Sequence, residues 1–337
     1  MSGTTAERPA REELRRIASD TAYAWKLARG RAELPPATPS DGPDPYGDPD
    51  PEWLRIDWRE HMREIDVVGA RVNYAELGEG PPLLFVHGLS GCWQNWLENI
   101  PHFARTHRVV ALDLPGFGAS PVPPWEISIP AYGRLVRDLC ERLGIDRCSL
   151  VGNSMGGFIA SEVAITEPER VDDLTLVSAA GITWASARKE PAEMLARVGR
   201  AAAPLALRFE LSAIRRPKIR DLAFRGVFFD PNNLRRELLW ENVVPAFQSP
   251  GYFDAMRNLV GHDIRDRLEE IGVPTLVVWG RNDRVVPVPA ALSYKQRIGD
   301  NAELVIFDEC GHVPQMERPV RFNRLLEGFL AREGVLD

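Results

Sequence analysis

The residues of this chain best suited to chemistry are a serine, an aspartate and a histidine, far apart in sequence, each just past an apolar run. Ser154 lies in Leu150-Val151-Gly152-Asn153-Ser154-Met155-Gly156-Gly157, with a strand-like segment (147–151) before it and a helix-like segment (157–164) after it. A strand that reverses into a helix around one residue forces that residue into a sparsely populated backbone conformation. The flanking glycines leave room for the neighbouring main chain. The serine hydroxyl is then held out at the top of a sheet. A hydroxyl is a weak nucleophile at neutral pH, so it needs a base, and the base needs a group that fixes its tautomer. Asp283 follows the apolar run 274–278, and His312 follows the apolar run 302–307. Each stands at the C-terminal end of an expected strand.

Rival candidates are weaker on placement. Asp308 is only four residues before His312, too local to reach back to the imidazole easily. None of His61, His87, His102, His107 and His262 follows a late apolar strand. His262 and Asp263 are adjacent, but two ligands with no third nearby and no H-E-x-x-H pattern do not make a zinc site. No metal and no cofactor is expected.

Two further motifs join these three residues. An apolar run ends in His87-Gly88-Leu89, and a second loop reads Asp113-Leu114-Pro115-Gly116-Phe117-Gly118. From about Glu64 to the C-terminus the chain resembles the α/β-hydrolase superfamily, in which nucleophile, acid and histidine occur in this chain order. The resemblance implies Ser154 as nucleophile, His312 as general base and then acid, and Asp283 as the group that orients the imidazole. It implies an oxyanion hole from the backbone N–H groups of Leu89 and Met155. Losing one such donor costs about 2.7–4 kcal/mol of transition-state stabilisation in a model enzyme.

The same resemblance narrows the reaction. Serine at position 154 disfavours the epoxide hydrolases and haloalkane dehalogenases, which use an aspartate nucleophile. The reading placed first is a cofactor-independent serine hydrolase that cleaves a carboxylic ester of a small or medium-sized apolar compound through an acyl-enzyme. The second is a C–C bond hydrolase acting on a ring-fission 2-hydroxy-6-oxo-dienoate. The elbow Gly-Asn-Ser-Met-Gly-Gly is similar to that of meta-cleavage-product hydrolases, in which Asn153 would line the site and an arginine of the lid would hold the substrate carboxylate. Against it stand the His-Gly-Leu-Ser-Gly oxyanion loop, which lacks that group's extra Gly-Pro run, and Val313 where those enzymes usually carry Trp. The third is a non-catalytic ligand-binding protein on the same fold.

The elements that must position these residues are legible as pattern. Runs 64–69 and 70–77 alternate about a glycine and read as an antiparallel hairpin. Near-continuous apolar runs at 83–86, 109–112, 149–151, 174–178, 275–279 and 303–307 read as strands buried on both faces of a parallel sheet. Helices at 132–143 and 321–330 would cover it. The expected fold is the α/β-hydrolase fold: a mostly parallel eight-stranded sheet with helices on both faces and a helical lid inserted after the sixth strand. The core occupies 52–181 and 262–337, and the lid 182–261. The lid carries helix-like runs at 191–208 and 231–240 and no convincing strand. From 182 to 260 there are thirteen Lys or Arg against eight Asp or Glu, a surplus of +5 in a chain of net charge -7. Either a substrate carboxylate, an anionic lipid surface or a solvated arginine-rich face accounts for it. Asn153, His87, Trp93, Phe117 and Trp184 are expected to line the substrate pocket, with Trp96, Phe228 and Phe229 nearby.

Residues 1–51 stand apart from that core. From 12 to 31, Leu14, Ile17, Ala18, Trp25 and Ala28 recur at roughly helical spacing among arginines, an amphipathic basic helix that could dock on its own domain, a partner or an anionic membrane. Seven prolines between Pro35 and Pro51 then read as an extended linker without core residues or regular hydrogen bonds. At 337 residues the chain can bury a full core, and its moderate charge with no Lys/Arg tract argues against nucleic acid as a partner. Four cysteines without C-x-x-C spacing and no apolar leader point to a reduced, cytoplasmic setting. No stretch approaches the roughly 20 apolar residues that span a bilayer.

Overall fold

The computed structural model describes residues 34–182, 208–209, 211–247, 249–259 and 262–332. The basic helix expected at 12–31, most of the 191–208 run and Trp184 lie outside the described residues.

The alternating segment near the start forms the hairpin β1 (Met62–Val67) and β2 (Ala70–Leu77), in register from Met62 opposite Ala75 to Val67 opposite Ala70. Its two-residue turn needs left-handed backbone at both positions, and Val68 and Gly69 have φ of 51° and 72°. The apolar runs form β3 (Pro82–Val86), β4 (Arg108–Leu112), β5 (Cys148–Asn153), β6 (Val171–Val177), β7 (Thr275–Gly280) and β8 (Ala302–Phe307). They join in one eight-stranded sheet of order β1-β2-β4-β3-β5-β6-β7-β8, antiparallel at β1/β2 and β2/β4 and parallel from β4 onward. The order turns back at β3, which lies between β4 and β5. The strand order thus reverses between β3 and β5, and ligand sites of open α/β sheets lie beyond the carboxyl ends of strands at such a point.

Strand alternation divides the core into two layers. Leu84, Val86, Val110, Leu112, Leu150, Leu174 and Trp279 pack on one face. Leu83, Phe85, Val109, Ala111, Val151, Leu276 and Val278 pack on the other. The first face is covered by α2 (Ile129–Arg142), α3 (Met155–Thr166) and α7 (Pro289–Ile298). The second meets α1 (Ile100–Phe103) and α9 (Pro319–Arg332), together with α5 (Arg236–Phe247) from the segment between β6 and β7. Local chemistry sets the ends of α2. The Ser128 hydroxyl caps the Ala131 N–H at 3.3 Å, and Gly144, at φ 68°, ends the helix while Ile145 N–H bonds back to the Cys140 carbonyl. The β6–β7 insertion also holds α4 (Pro217–Phe224) and α6 (Tyr252–Leu259), with no strand among its described residues.

The proline-rich segment departs from expectation. Residues 34–51 are a strap laid on the core, with hydrogen bonds to it along their length. Thr38 exchanges two bonds with Ile306 at the β8 edge, N–H to carbonyl at 2.8 Å and Ile306 N–H to the threonine hydroxyl at 3.0 Å. Arginines of α9 reach it too: Arg321 donates to the Thr38 carbonyl at 2.6 Å, and Arg324 to the Pro43 carbonyl at 3.2 Å. Prolines cannot donate, but their carbonyls accept, so the strap is held by side chains reaching out from a distant helix.

The hairpin turn yields a stability prediction. Val68 is 58% exposed, so its apolar side chain gains little in return for a left-handed β-branched backbone. Val68→Asn should raise stability by about 1 kcal/mol, read as a higher denaturant midpoint with an unchanged slope.

Candidate active site

β5 runs into α3 through Ser154, whose φ of 56° and ψ of -116° lie in a region that costs a non-glycine residue about 1–3 kcal/mol. The surroundings over-determine that geometry. Ser154 N–H bonds to the Val177 carbonyl at 2.9 Å, and its own carbonyl accepts from Phe158 at 3.1 Å and Ala180 at 2.9 Å. The adjacent glycines are needed for close approach. A Cβ on Gly156 would stand 2.6 Å from the His87 carbonyl oxygen, and one on Gly157 would stand 2.6 Å from the Ala179 Cβ. Ser154 is partly exposed, whereas Asn153 and Met155 on either side are buried. Met155 opens α3, so its N–H has no carbonyl one turn back to bond.

The two late loops interlock. Arg281 N–H bonds to the Phe307 carbonyl and Asn282 N–H to the Cys310 carbonyl, both at 2.8 Å. A Cβ on Gly280 would stand 2.5 Å from the Cys310 oxygen. This lacing brings Asp283 Oδ2 to His312 Nδ1 at 2.8 Å. The other carboxylate oxygen accepts the N–H groups of Val285 (2.8 Å) and Val286 (2.9 Å). An ionised carboxylate only accepts, so Nδ1 carries the proton and Nε2 keeps its lone pair. His312 is bonded to the elbow as well: Asn153 Nδ2 donates to its carbonyl at 3.3 Å and to the Val177 carbonyl at 3.0 Å. Asp283 and His312 are thus joined directly, and the His312 loop is tied to the elbow next to Ser154. Asp308 lies outside the group, exposed and paired with Arg281 at 3.6 Å.

Several residues expected on a pocket wall take packing positions instead. His87 is fully buried, with Nε2 accepting the Leu114 N–H at 2.9 Å and Nδ1 bonded to the Gly88 carbonyl at 2.7 Å. Burial lowers its pKa to about 4 and keeps the ring neutral. Phe117 is buried edge-on to that ring at 5.5 Å. Trp93 packs on Trp58 at 4.9 Å, and its backbone N–H donates to Asp113 Oδ1 at 2.8 Å. Asp113 also accepts from Asn73 Nδ2 (2.7 Å) and Ala119 N–H (2.9 Å). Burial still raises its pKa to about 6. These residues brace the loops after β3 and β4, because two loops at adjacent strand ends must satisfy each other's backbone. Asn153 likewise spends its amide on backbone. Trp184 lies outside the described residues.

The insertion closes over these loops. Gly251 N–H bonds to the Gly116 carbonyl at 2.9 Å, and Asn258 Nδ2 to the Ile127 carbonyl at 2.7 Å. The buried Arg220 is committed internally, donating to the Ile214 carbonyl through Nε at 2.9 Å. His262 stands 3.7 Å from Glu162, and among the described residues no three His, Cys, Asp or Glu side chains converge as a metal site would require. A residue that sequence motifs did not single out is Glu317, whose carboxylate bonds the backbone on both sides of His312. Its place shortly after the histidine was the available signal.

Residues 81–319 match the family profile described as alpha/beta hydrolase fold. The chain belongs to the α/β-hydrolase family. A 2-hydroxy-6-oxo-6-phenylhexa-2,4-dienoate hydrolase of Comamonas testosteroni is 34% identical to this α/β-hydrolase over 280 residues, 80% of this chain and 94% of that protein. A 2-hydroxymuconate semialdehyde hydrolase of Pseudomonas putida is 31% identical, covering 81% of this chain and 95% of that one. Among solved structures, a bacterial membrane phospholipase A superposes with a TM-score of 0.63 at 25% identity, covering 97% of this chain and 99% of that one.

The geometry makes Asp283 decisive for the histidine tautomer. Asp283→Asn leaves the loops laced but lets an amide N–H face Nδ1. kcat for hydrolysis should fall on the order of 10⁴-fold, as a wrong tautomer costs in a related triad, while circular dichroism is unchanged.

Proposed function

We propose that this hydrolase cleaves a C–C bond in a 2-hydroxy-6-oxo-dienoate, using Ser154, His312 and Asp283 as a catalytic triad and the Leu89 and Met155 N–H groups as an oxyanion hole. The observation that carries the reading is relatedness at 31–34% identity, over nearly the whole length of the relatives, to hydrolases named for such substrates. It reverses the order of preference drawn from the sequence, where the ester reading stood first.

His312 Nε2 takes the Ser154 proton as the serine oxygen adds to the 6-oxo carbonyl, and the resulting oxyanion is met by the two N–H groups. With the dienol in its keto form, the C5–C6 electron pair leaves into a chain conjugated with the 2-oxo group, which takes up the proton that His312 carries, leaving the imidazole neutral. The bond breaks without a high-energy carbanion. The acyl group stays on Ser154 until water, deprotonated by His312, releases it as a carboxylic acid. His87, Phe117 and Trp93 support the pocket from beneath in this reading, and Asn153 ties the elbow to the His312 loop. The insertion acts as the lid that excludes water. A small-molecule substrate and no cofactor follow from this chemistry. The four cysteines are free, as a cytoplasmic setting would have them.

The ester reading comes second, favoured by the near full-length superposition on the phospholipase and by the exposed Phe209, Leu222 and Trp240 on the insertion. Peripheral contact with a lipid surface belongs to this reading. Among the described residues no helix is long and apolar enough to cross a membrane. Rates on a 6-phenyl or 6-alkyl 2-hydroxy-6-oxo-dienoate, set beside p-nitrophenyl esters from C2 to C12, separate the two. kcat/KM on the dienoate should exceed that on every ester, and the reverse order would return the assignment to ester hydrolysis.

A further inference from the structure

Glu317 closes the short helix α8 (Pro314–Glu317), five residues after His312, and is wholly buried. Its carboxylate collects donors from three separate parts of the chain. Oε1 accepts the N–H groups of Gly311 (2.9 Å) and Val313 (3.4 Å), the residues on either side of His312. Oε2 accepts the Phe229 N–H of the insertion (2.7 Å) and the Tyr46 hydroxyl of the strap (2.6 Å). The tyrosine oxygen in turn accepts the Asp230 N–H at 2.8 Å. Two more bonds close the arrangement: His312 N–H to the Val227 carbonyl, and Gly47 N–H to the Glu317 carbonyl, both at 2.8 Å. Arg318 lies over the Tyr46 ring at 5.0 Å and donates to the Asp44 carbonyl at 3.1 Å.

Four donors converge on two oxygens, so the site requires an acceptor-only group. An amide would turn an NH₂ toward N–H or O–H on one side. Burying a carboxylate is costly, and burial pushes the pKa of Glu317 up to about 7. Packing alone would be met by an apolar side chain. The carboxylate is accounted for by what it fixes, the backbone on both sides of the histidine.

We propose that Glu317 is a positioning residue for His312, and that Tyr46 and residues 227–230 complete a clamp through which strap and insertion hold the histidine in register with Asp283 and Ser154. The strap is thereby part of the active-site scaffold, though Tyr46 lies outside the segment 81–319 that carries the family profile. The proposal rests on the reading of His312 as general base.

The test compares full-length Tyr46→Phe, Glu317→Gln and His312→Ala with wild type by kcat, KM and melting temperature, assayed well below the lowest melting point on the better substrate of the dienoate and ester panel. Tyr46→Phe removes one hydroxyl and keeps the ring under Arg318. It should lower kcat about tenfold with KM changed by less than about twofold, and Glu317→Gln should lower kcat about 100-fold, as a displacement near 1 Å costs. A lowered melting temperature with wild-type kcat in Tyr46→Phe overturns the clamp. That variant decides the matter if Glu317→Gln does not fold. Full turnover by His312→Ala would instead overturn the base assignment. An inactive His312→Ala beside wild-type kcat in the other two overturns the clamp alone.

Discussion

The structure depends on the close approach of main chain to main chain where β5 turns into α3. Around Ser154 a side chain at position 156 would collide with the carbonyl at the end of β3, and one at 157 with Ala179 after β6. Glycine there lets α3 start directly against two neighbouring strand ends, which holds Ser154 at φ 56°. That conformation is unfavourable by itself and persists because three backbone hydrogen bonds and the packing of α3 against the sheet fix both of its ends. Ser154 is therefore placed by the sheet, and its position is set before any substrate arrives.

The remaining groups reach Ser154 by the same kind of constraint. The β7 and β8 loops are sewn together by backbone bonds, so the Asp283–His312 contact inherits the rigidity of two buried strands. His87 and Asp113 do the equivalent at β3 and β4, using buried polar side chains to satisfy loop backbone. Such groups are stabilising only when their bonds are complete. His87 has both ring nitrogens engaged, and both oxygens of Asp113 accept.

What could be read from the sequence follows from how local the physics is. Strands buried on two faces announce themselves as apolar runs, and the Gly-x-Ser-x-Gly turn has a steric cause confined to a few residues, so sheet, elbow and late loops were all legible. The hairpin at Val68-Gly69 was legible for the same reason. The strap was not. Prolines at 35–51 signal missing donors, while donors that hold the strap sit on Arg318, just before α9, and on Arg321 and Arg324 within it, some 280 residues away in sequence. His87, Trp93 and Phe117 were legible as neighbours of the site but not as braces, because bracing depends on which backbone N–H each loop leaves unmet. Glu317 was missed since its place five residues after His312 does not by itself say that its carboxylate is buried.

The central claim is that Ser154 is the activated nucleophile of this hydrolase. The most direct measurement is intact-mass analysis of the full chain after reaction with a fluorophosphonate, followed by peptide mapping of the adduct. The account predicts one phosphonyl group per chain, on the peptide carrying Ser154. A protein that turns over substrate yet carries no adduct there, or carries it on another serine, would contradict it.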